Sequence, residues 1–444
     1  MFKFNRVFFI ISNFILSFLI FVIIFFIRYK WFDFADVDKR DIDLEVLISL
    51  MIYSFIIVIL NISFKIYELN KISQIKESIL TNIFISLVSI GVIGGVYFFT
   101  KIDFARFVFF LGFLIIPFII SFYNKLSFSI ILKRSQKGSI LFFGEERNFR
   151  LLKELITQYN KWFFYEVEYL NMNVGKKELS DKLSNYKYVV VDTEQDISKD
   201  NFEVLNDYEI ADGSIYSLID IFGYLDQSLP AEIIKRRHFE LFSSYRLDTF
   251  YAKVVKRVGD VFISLFLLVL TLPITLITVV LVKLTSKGKV FYTQKRVGLK
   301  GKEFYIYKFR SMVANAESGK PILAKENDMR VTAVGKVIRA FRIDELPQLF
   351  NILIGDMSFI GPRPERKELI EDIIKEVPLF KKRLLVKPGL SGWAQVKYTY
   401  VNSIEGMNKK LSYDLYYINN LNIFFDIKIL LYTVETIIFR RGAI

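Results

Sequence analysis

Long apolar stretches dominate the first third of the chain. Four of them approach the ~20 residues with which an α-helix crosses ~30 Å of hydrocarbon. They cover residues 8–27, 46–64, 79–100 and 107–122. The flanking segments carry nine Lys and Arg on one side and six on the other, which favours both ends inside the cell. The pattern predicts four transmembrane helices within residues 1–124.

After residue 138 the pattern changes to short apolar runs separated by polar stretches. Strand-like runs cover residues 139–144, 163–170 and 188–192, and a helical run covers residues 150–159. This spacing is typical of alternating β and α elements and predicts a Rossmann-like α/β domain over residues 138–240. The turn Gly144-Glu145-Glu146 lacks the GxGxxG pattern and places acids where a phosphate would lie. A packing domain and a degenerate nucleotide site both stay open.

A fifth apolar stretch, residues 261–282, is long enough to span a membrane but has basic residues at both ends. These residues are Lys253, Lys256, Arg257, Lys283, Lys287 and Lys289. Both ends therefore favour the same anionic cytoplasmic surface. Pro273 near the midpoint removes a backbone hydrogen bond, so we predict a re-entrant helix that breaks at residues 271–273. The alternative is a Pro-kinked ordinary span, which would place everything after residue 282 outside the cell.

Composition and charge narrow the chemistry. The chain of 444 residues is 53% hydrophobic, has no cysteine and has one histidine, His238. This excludes disulfides, thiolate nucleophiles and clusters of Cys or His around a metal, so acid–base chemistry falls to carboxylates. From residue 251 onward there are 32 Lys and Arg but 17 Asp and Glu, whereas the first 250 residues are nearly neutral. The basic region carries no nucleic-acid-binding signature, so it indicates lipid or phosphate partners and no nucleic acid.

Short blocks rich in Gly, Arg and Pro follow the fifth apolar stretch, and an acidic pair, Asp344-Glu345, lies among them. The blocks cover residues 291–298, 308–312, 328–332, 337–348, 361–364 and 388–395. In a structural interpretation, Asp344 caps a helix that has Pro347 in its first turn. The predicted apolar face of this helix is Leu346, Leu349, Phe350 and Leu353.

The same acidic pair also permits phosphate chemistry. The start of a helix favours anions, and a phosphate there would meet Arg310, Arg339 and Arg363 if the chain folds back. A carboxylate in that setting attacks phosphorus or holds Mg²⁺, and its neighbour moves protons. Spacing alone leaves the helix cap and the chemical role both open.

Taken together and in order, the blocks resemble the bacterial sugar transferase family, the monotopic polyprenyl-phosphate phosphoglycosyl transferases. The resemblance covers about 190 residues, from Lys256 to the C-terminus. The matching residues are Lys256-Arg257, Asp260, Pro273, Gln294-x-Arg296-x-Gly298, Lys308-Phe-Arg310, Asp344-Glu345-Leu-Pro-Gln348 and Gly361-Pro-Arg-Pro364. The predicted spans and the α/β insert are similar to the large, exopolysaccharide-type members of that family.

The resemblance implies a reaction and a site. Asp344 would attack the β-phosphate of a UDP-sugar, UMP would leave, and polyprenyl phosphate would take the phospho-sugar from the enzyme. Glu345 would support acid–base chemistry, and both carboxylates would hold Mg²⁺ as the cofactor. The implied substrate-binding residues are Gln294, Arg296, Lys308, Arg310, Arg339, Pro362, Arg363 and Pro364.

Two positions depart from the family pattern. Leu272 precedes Pro273 where many relatives have serine, so a side-chain contribution to the bend is in question. Arg342-Ile343 precedes the acidic pair where many relatives have Ser-Leu. We expect this second departure to change the local charge without contact to the pair.

We therefore predict an α/β membrane protein with a four-helix transmembrane region, a Rossmann-like insert and an α-rich catalytic domain over residues 251–444. It would act at the cytoplasmic face of the bacterial inner membrane, with a UDP-sugar, polyprenyl phosphate and membrane lipids as partners, and would start surface polysaccharide synthesis. A homo-oligomer stays open. Two other classes compete. A transporter or flippase would need more polar residues in its spans than Asn13, Asn61 and Asn82, and a non-catalytic scaffold would rely on the α/β domain.

Overall fold

The computed structural model describes most of the chain as two compact units. The described residues are 6–27, 44–63, 66–67, 75–100, 106–134, 138–159, 165–234, 241–242, 247–285, 288–313, 328–398 and 404–438. Phe64, Phe163, His238 and Lys287, which enter the sequence analysis, lie outside them. One unit is Met1–Asp192 with Ile197–Ser217, and the other is Thr193–Asp196 with Leu218–Ile444. The domain bounds at residues 124, 138, 240 and 251 stay predictions.

Four helices begin the first unit, at the four apolar stretches of the sequence. They are α1 Arg6–Phe26, α2 Leu44–Ser63, α3 Ile75–Thr100 and α4 Arg106–Arg134. Among the described residues, Val7–Phe26 and Val108–Ile130 are long and apolar enough to cross a membrane. The apolar parts of α2 and α3 are the shorter segments Val46–Ile62 and Ser78–Gly91.

The structure therefore supports two spans within its described residues, where the sequence predicts four. The difference is one of apolar length. At 1.5 Å per residue, the apolar part of α2 is about 25 Å long and that of α3 about 21 Å, both short of ~30 Å of hydrocarbon. Lys76 also lies in the first turn of α3.

Aromatic side chains and one interhelical hydrogen bond hold these helices together. The rings of Phe21 in α1 and Phe109 in α4 lie 5.6 Å apart, and Tyr53 of α2 packs on Phe109. A Cβ atom at Gly112 would lie 2.2 Å from the Phe21 ring, so glycine at this position allows α1 and α4 to approach closely. Asn82 donates to the Ser121 hydroxyl at 2.9 Å, so this polar residue joins α3 to α4.

A parallel sheet with its helices completes the first unit. The strands are β1 Gly138–Gly144, β2 Tyr165–Asn171, β3 Tyr188–Val191 and β4 Ser214–Ser217, and the helices are α5 Glu146–Tyr159, α6 Lys176–Leu183 and α7 Lys199–Ile210. The strand order is β2-β1-β3-β4, with all pairs parallel. The predicted alternation of strands and helices is confirmed. The Rossmann-like description is not confirmed, because the strand order here is 2-1-3-4, whereas dinucleotide-binding sheets have the order 3-2-1-4.

Side chains of the domain itself fill the carboxyl ends of β1 and β3, where open α/β sheets bind ligands. Asp192 follows β3, is fully buried and lies against Gly144 at the end of β1. The Asn148 amide donates to the Asp192 carboxylate at 2.7 Å. These contacts favour the packing interpretation of the domain.

The second unit contains two small sheets among helices. Its elements are α8 Leu218–Leu225, α9 Lys256–Leu270, α10 Leu272–Thr285, β5 Phe291–Val297, β6 Glu303–Phe309, α11 Ala333–Ala340, α12 Gln348–Ile354, β7 Ser358–Ile360, α13 Lys367–Glu376, β8 Gly389–Ser391, α14 Trp393–Lys397, α15 Ile404–Asn419 and α16 Ile423–Ile438. Strands β5 and β6 form an antiparallel hairpin, and β7 pairs with β8 in parallel.

The fifth apolar stretch forms two helices joined by a sharp bend. The chain bends by 63° between the segments Tyr251–Leu270 and Leu272–Thr285. This bend confirms the break predicted at residues 271–273. Both the backbone N–H and the hydroxyl of Thr271 donate to the Leu267 carbonyl, so Thr271 closes the end of α9. Apolar side chains along both arms face outward: Phe262 is 73% exposed and Leu284 is 77% exposed. An exposed apolar surface of this extent fits a lipid environment.

The first turn of α9 is attached to the rest of the second unit by charged side chains. Arg257 donates to the carbonyls of Ile352 at 2.5 Å and Leu353 at 2.7 Å, at the last turn of α12. The buried Asp260 carboxylate accepts from the Phe359 backbone N–H at 2.8 Å, beside strand β7. Helix α9 is therefore anchored directly to α12, the helix that follows the acidic pair, and to strand β7.

Candidate active site

The acidic pair lies in a tight turn between two helices. Helix α11 ends at Ala340, Arg342 takes a left-handed conformation with φ of 55°, and Ile343–Glu345 form one turn of 3₁₀ helix before α12. A non-glycine residue at positive φ costs of order 1–3 kcal/mol, and such strain is common at functional sites. The turn places Asp344 and Glu345 side by side and buries both, at 8% and 6% exposure.

The helix-cap interpretation of Asp344 is wrong. Helix α12 begins at Gln348, after Pro347, and no side chain caps it. The predicted apolar face is also partly wrong: Leu349 is buried, but Phe350 is 53% exposed and Ile352 is buried instead. The 3₁₀ turn rotates the helix relative to the uniform helical spacing that the sequence suggests.

One asparagine joins α12, the helix that follows the acidic pair (the dyad, Asp344 and Glu345), to strand β6. Asn351 in α12 is fully buried, accepts from the Tyr307 N–H at 3.1 Å and donates to the Tyr305 carbonyl at 2.7 Å. These bonds satisfy two backbone groups of β6 with one side chain. They fix α12 against the strand that carries Lys308, and this places Lys308 beside the dyad.

Three basic side chains surround the Glu345 carboxylate. Lys308 donates to Oε1 at 2.8 Å and Arg363 donates to the same atom at 3.0 Å. The Arg342 guanidinium lies 3.6 Å from Oε2. Burial alone would raise the pKa of Glu345, but the charges of Lys308, Arg363 and Arg342 hold this pKa well below its ordinary value.

Asp344 has a different environment from its neighbour. Among the described residues, no hydrogen bond or ion pair reaches its carboxylate. Burial and the charge of Glu345 raise the pKa of Asp344 to about 6, and Lys308, Arg339 and Arg363 oppose this rise. The two carboxyl groups are therefore separated in pKa, as in enzymes that give adjacent acids different roles. Glu345 stays ionised and held, and Asp344 keeps its oxygens available.

The structure brings some of the predicted site residues together and not others. Lys308 and Arg363 contact Glu345, and Arg339 acts on Asp344 through its charge. Pro362 and Pro364 flank Arg363, and the Pro362 carbonyl accepts from the Gly389 N–H at 2.9 Å.

The remaining three predicted residues lie in other contacts. Arg310 donates to the Val282 carbonyl at the end of α10, at 3.4 Å. Arg296 donates to Gln294 at 2.7 Å and lies 3.8 Å from the Glu365 carboxylate. The roles of these residues in substrate binding stay predictions.

Two contacts near the acidic pair were not predicted from the sequence. The expectation that Arg342 has no contact with the acidic pair is wrong, since its guanidinium pairs with Glu345. The left-handed turn at Arg342 brings this side chain back over the dyad. Asn351 carried no signal beyond its place three residues before the end of an apolar run.

The dyad fits Mg²⁺ in a restricted way. Both oxygens of Glu345 already face basic groups, so Asp344 is the carboxylate with oxygens available. Within the described part of the chain, no group of three or more acids or histidines could hold a metal ion. Mg²⁺ commonly binds through one or two carboxylates together with substrate phosphates. The residues present therefore suit an ion that arrives with a diphosphate, and do not suit a metal site made by the protein alone.

The fold and site define a class: a membrane-associated protein with a bent apolar helix pair and a buried, cation-lined carboxylate pair. The bacterial sugar transferase family matches residues 251–440. A sugar transferase of Bacillus subtilis named EpsL, described as uncharacterized, is 40% identical over 193 residues, which are 43% of this chain and 90% of that protein. The chain belongs to the bacterial sugar transferase family.

Two longer relatives carry specific names. An Aeromonas hydrophila UDP-N-acetylgalactosamine-undecaprenyl-phosphate N-acetylgalactosaminephosphotransferase is 46% identical over 189 residues, 43% of this chain and 45% of the relative. A Klebsiella pneumoniae UDP-glucose:undecaprenyl-phosphate glucose-1-phosphate transferase is 42% identical over 183 residues, 41% of this chain and 39% of the relative. The chain thus matches less than half the length of either one.

Proposed function

We propose that this protein transfers a sugar 1-phosphate from a UDP-sugar to polyprenyl phosphate at the cytoplasmic membrane face. The observation that carries the proposal is the contrast within the dyad. Glu345 is held by three basic groups, while Asp344 beside it is buried and keeps its oxygens available. Family membership and the names of the two longer relatives support the same reaction. Such a transfer would start the synthesis of a surface glycan.

Asp344 is the proposed nucleophile. One of its carboxylate oxygens attacks the β-phosphorus, which bears the sugar, and the bond from this phosphorus to the bridging oxygen breaks. UMP leaves with that oxygen, and an aspartyl phospho-sugar remains. A phosphate oxygen of polyprenyl phosphate then attacks the same phosphorus, which releases the polyprenyl-diphosphate sugar and restores the Asp344 carboxylate. Covalent catalysis of this kind divides one difficult displacement into two easier ones.

The basic groups of the site stabilise charge in both displacements. The dyad contributes two negative charges, while Lys308, Arg339, Arg342 and Arg363 contribute four positive charges. The surplus of two charges matches an incoming diphosphate, and Arg363 provides a planar donor pair that suits phosphate oxygens. Burial strengthens each of these interactions because little water screens them.

Magnesium belongs to the proposal as an ion bound together with the diphosphate. Asp344 would share it with the substrate phosphates, and it would neutralise charge on the departing UMP. Glu345 would keep the side chains of Lys308 and Arg363 in place within the site.

The bent helix pair α9–α10 is proposed to re-enter the membrane. A bend of 63° shared equally by the two arms inclines each arm about 30° to the membrane plane. At 1.5 Å per residue, α9 then descends about 11 Å, less than the half-thickness of a ~30 Å hydrocarbon core. Both ends stay at one face, where UDP-sugars and the lipid phosphate meet.

We also propose that α2 and α3 cross the membrane with α1 and α4, locally thinning it to match their shorter apolar parts.

The experiment is an assay of UMP release by the purified full-length protein in lipid with undecaprenyl phosphate and Mg²⁺. UDP-N-acetylgalactosamine and UDP-glucose are the first two donors to test. Asp344→Asn should abolish turnover and the covalent phospho-sugar adduct while the protein stays folded. The matched control is Asp356→Asn, a nearby carboxylate outside the dyad, which should keep both. Turnover retained by Asp344→Asn would contradict the nucleophile, and no UMP release with any UDP-sugar would contradict the function.

A further inference from the structure

The Arg363 side chain donates to Glu345, and the backbone of Arg363 is itself held by a buried charge. Arg383 donates from Nη2 to the Arg363 carbonyl at 2.9 Å. The same guanidinium donates from Nε to the Asp414 carboxylate of α15 at 2.8 Å. The side chains of Arg383 and Asp414 are only 5% and 2% exposed. A continuous series of contacts therefore leads from Asp414 through Arg383 and Arg363 to the dyad.

A second buried carboxylate fixes the chain just after Arg363. Glu365 accepts from Lys410 of α15 at 2.8 Å, and the Glu365 carbonyl accepts from the Val297 N–H at 3.0 Å. Burial alone would raise the pKa of Glu365, but the charges of Lys410, Arg383 and Arg296 hold it at about 2. Glu365 is therefore ionised at any pH at which the protein functions.

Arg296 belongs to this support. Its guanidinium lies 3.8 Å from Glu365 and donates to Gln294, so it faces the loop that carries Arg363. The backbone on both sides of Arg363 is thus restrained. Proline rings restrict φ at residues 362 and 364, and charged partners hold the Arg363 carbonyl and the Glu365 side chain.

We propose that Arg383 is a positioning residue that orients Arg363 toward the dyad, and that Arg296 and Glu365 support the same loop. This inference rests on the proposed function. Its physical basis is that a donor helps transition-state charge only if its geometry is already set, so a small displacement of Arg363 lowers the rate. The competing explanation is that Arg383 and Asp414 merely stabilise the fold as a buried ion pair.

The two explanations differ when the ion pair is removed as a whole. Replacing both members of a buried ion pair by apolar residues is often neutral or stabilising, whereas removing one member is costly. In the double variant Arg383→Met with Asp414→Leu, the fold keeps its packing, but the Arg363 carbonyl loses its donor. A purely structural role predicts unchanged catalysis in this variant. A positioning role predicts impaired catalysis in a fold that loses no more stability than one unpaired carbonyl costs.

The experiment measures kcat and KM for UMP release, and the unfolding temperature, of the full-length protein in lipid. The double variant should unfold at most a few degrees below the unmodified protein, because only the Arg363 carbonyl loses a partner without replacement. Its kcat should be at least about tenfold lower, a fraction of the loss seen when an oxyanion donor is removed. The single variant Arg383→Lys should keep the charge near Asp414 but retain only part of the kcat of the unmodified protein. One ammonium group does not reach both the Asp414 carboxylate and the Arg363 carbonyl. In an Arg363→Met background, Arg383→Lys should cause no further loss, because the two residues act in series.

Asp226→Asn is the matched control. Asp226 accepts from Lys409 and Tyr413 of the same helix α15 that carries Asp414. This variant should lower the unfolding temperature and leave kcat unchanged. Normal kcat in the double variant, or additive losses with Arg363→Met, would overturn the positioning role while leaving the proposed function intact. Absence of UMP release from the unmodified protein would overturn the proposed function, and the inference with it.

Discussion

At the scale of single residues, the two carboxylates of the dyad differ because of their partners and not because of their position in the chain. Three basic side chains lie close to Glu345 and lower its pKa. Burial and the negative charge of Glu345 raise the pKa of Asp344. The environment therefore distinguishes a carboxylate held by cations from one with available oxygens, as the proposed nucleophile requires. Two predictions follow from this difference in pKa and contacts.

The first concerns pH. As the proposed nucleophile, Asp344 would react only when ionised, and its pKa is raised to about 6. The value of kcat/KM for the UDP-sugar should therefore fall as the pH drops below about 6 and should be level above it. Arg339 lowers the pKa of Asp344, so Arg339→Met should move the midpoint to higher pH. The measurement is the pH profile of UMP release for both proteins. A midpoint that moves down, or does not move, would contradict this electrostatic account.

The second concerns Glu345. Glu345→Gln keeps the shape of the side chain but removes the charge that holds Lys308 and Arg363, so kcat should fall by ~10²–10⁴. Steady-state UMP release measures the loss, and Glu371→Gln on the exposed face of α13 is the control. A loss of less than threefold would show that Glu345 has no chemical or positioning role.

At the scale of elements, the site depends on the hydrogen bonds by which Asn351 of α12 contacts strand β6. Asn351→Leu has a similar volume but leaves the Tyr305 carbonyl and the Tyr307 N–H without their partner. Each buried unpaired group costs about 1–3 kcal/mol. We expect a lower unfolding temperature in detergent and reduced UMP release, whereas Asn185→Leu, at an exposed site, should change neither. Unchanged stability in Asn351→Leu would mean that other contacts hold the two elements together.

The bent helix pair is the other element that decides function. If α9 and α10 re-enter the membrane, Lys253 and Lys289 lie on the same cytoplasmic face, favoured by about 1 kcal/mol per basic residue near anionic lipid. Lys253→Cys and Lys289→Cys are clean probes because the chain has no cysteine. Both should resist an impermeant thiol reagent in intact cells and react after the membrane is opened. Labelling of one position alone from outside would indicate a true span, and labelling of Lys289→Cys alone would place the dyad outside the cell.

At the scale of the whole molecule, the second unit extends beyond the region that matches the family. The match begins at residue 251, yet residues 218–234 contact the C-terminal helices. The buried Trp393 indole donates to the Gln227 carbonyl at 2.9 Å, and Lys428 donates to the Gln227 side chain at 2.7 Å. These residues therefore close one side of the catalytic unit.

This arrangement predicts where the chain can be shortened. A protein that lacks residues 1–217 should still release UMP, because the dyad and its partners all lie within Leu218–Ile444. A protein that lacks residues 1–250 should unfold at a lower temperature, because the Trp393 N–H then loses its acceptor, at about 1–3 kcal/mol. Unfolding in detergent and UMP release measure both. Equal stability of the two shortened proteins would show that residues 218–234 are dispensable.

The sequence by itself determined the features that depend on neighbouring residues. Apolar runs specified the helices, Pro273 specified the break in the fifth stretch, and the order of short blocks specified the family and the acidic pair. These signals are local, because helical period, missing N–H groups and turn residues act within a few positions of the chain.

Only the tertiary structure decided which carboxylate is held and which is available. Lys308 is 37 residues and Arg363 is 18 residues from Glu345 in the chain. Both reach Glu345 only because Asn351 holds α12 against β6 and Arg383 holds the loop that carries Arg363. It also decided that Arg342 turns back onto the dyad and that Arg296 pairs with Glu365. Contacts between distant residues follow from how elements pack, and packing also sets the burial and charge that divide the two pKa values. The spacing of residues in the sequence carries neither quantity.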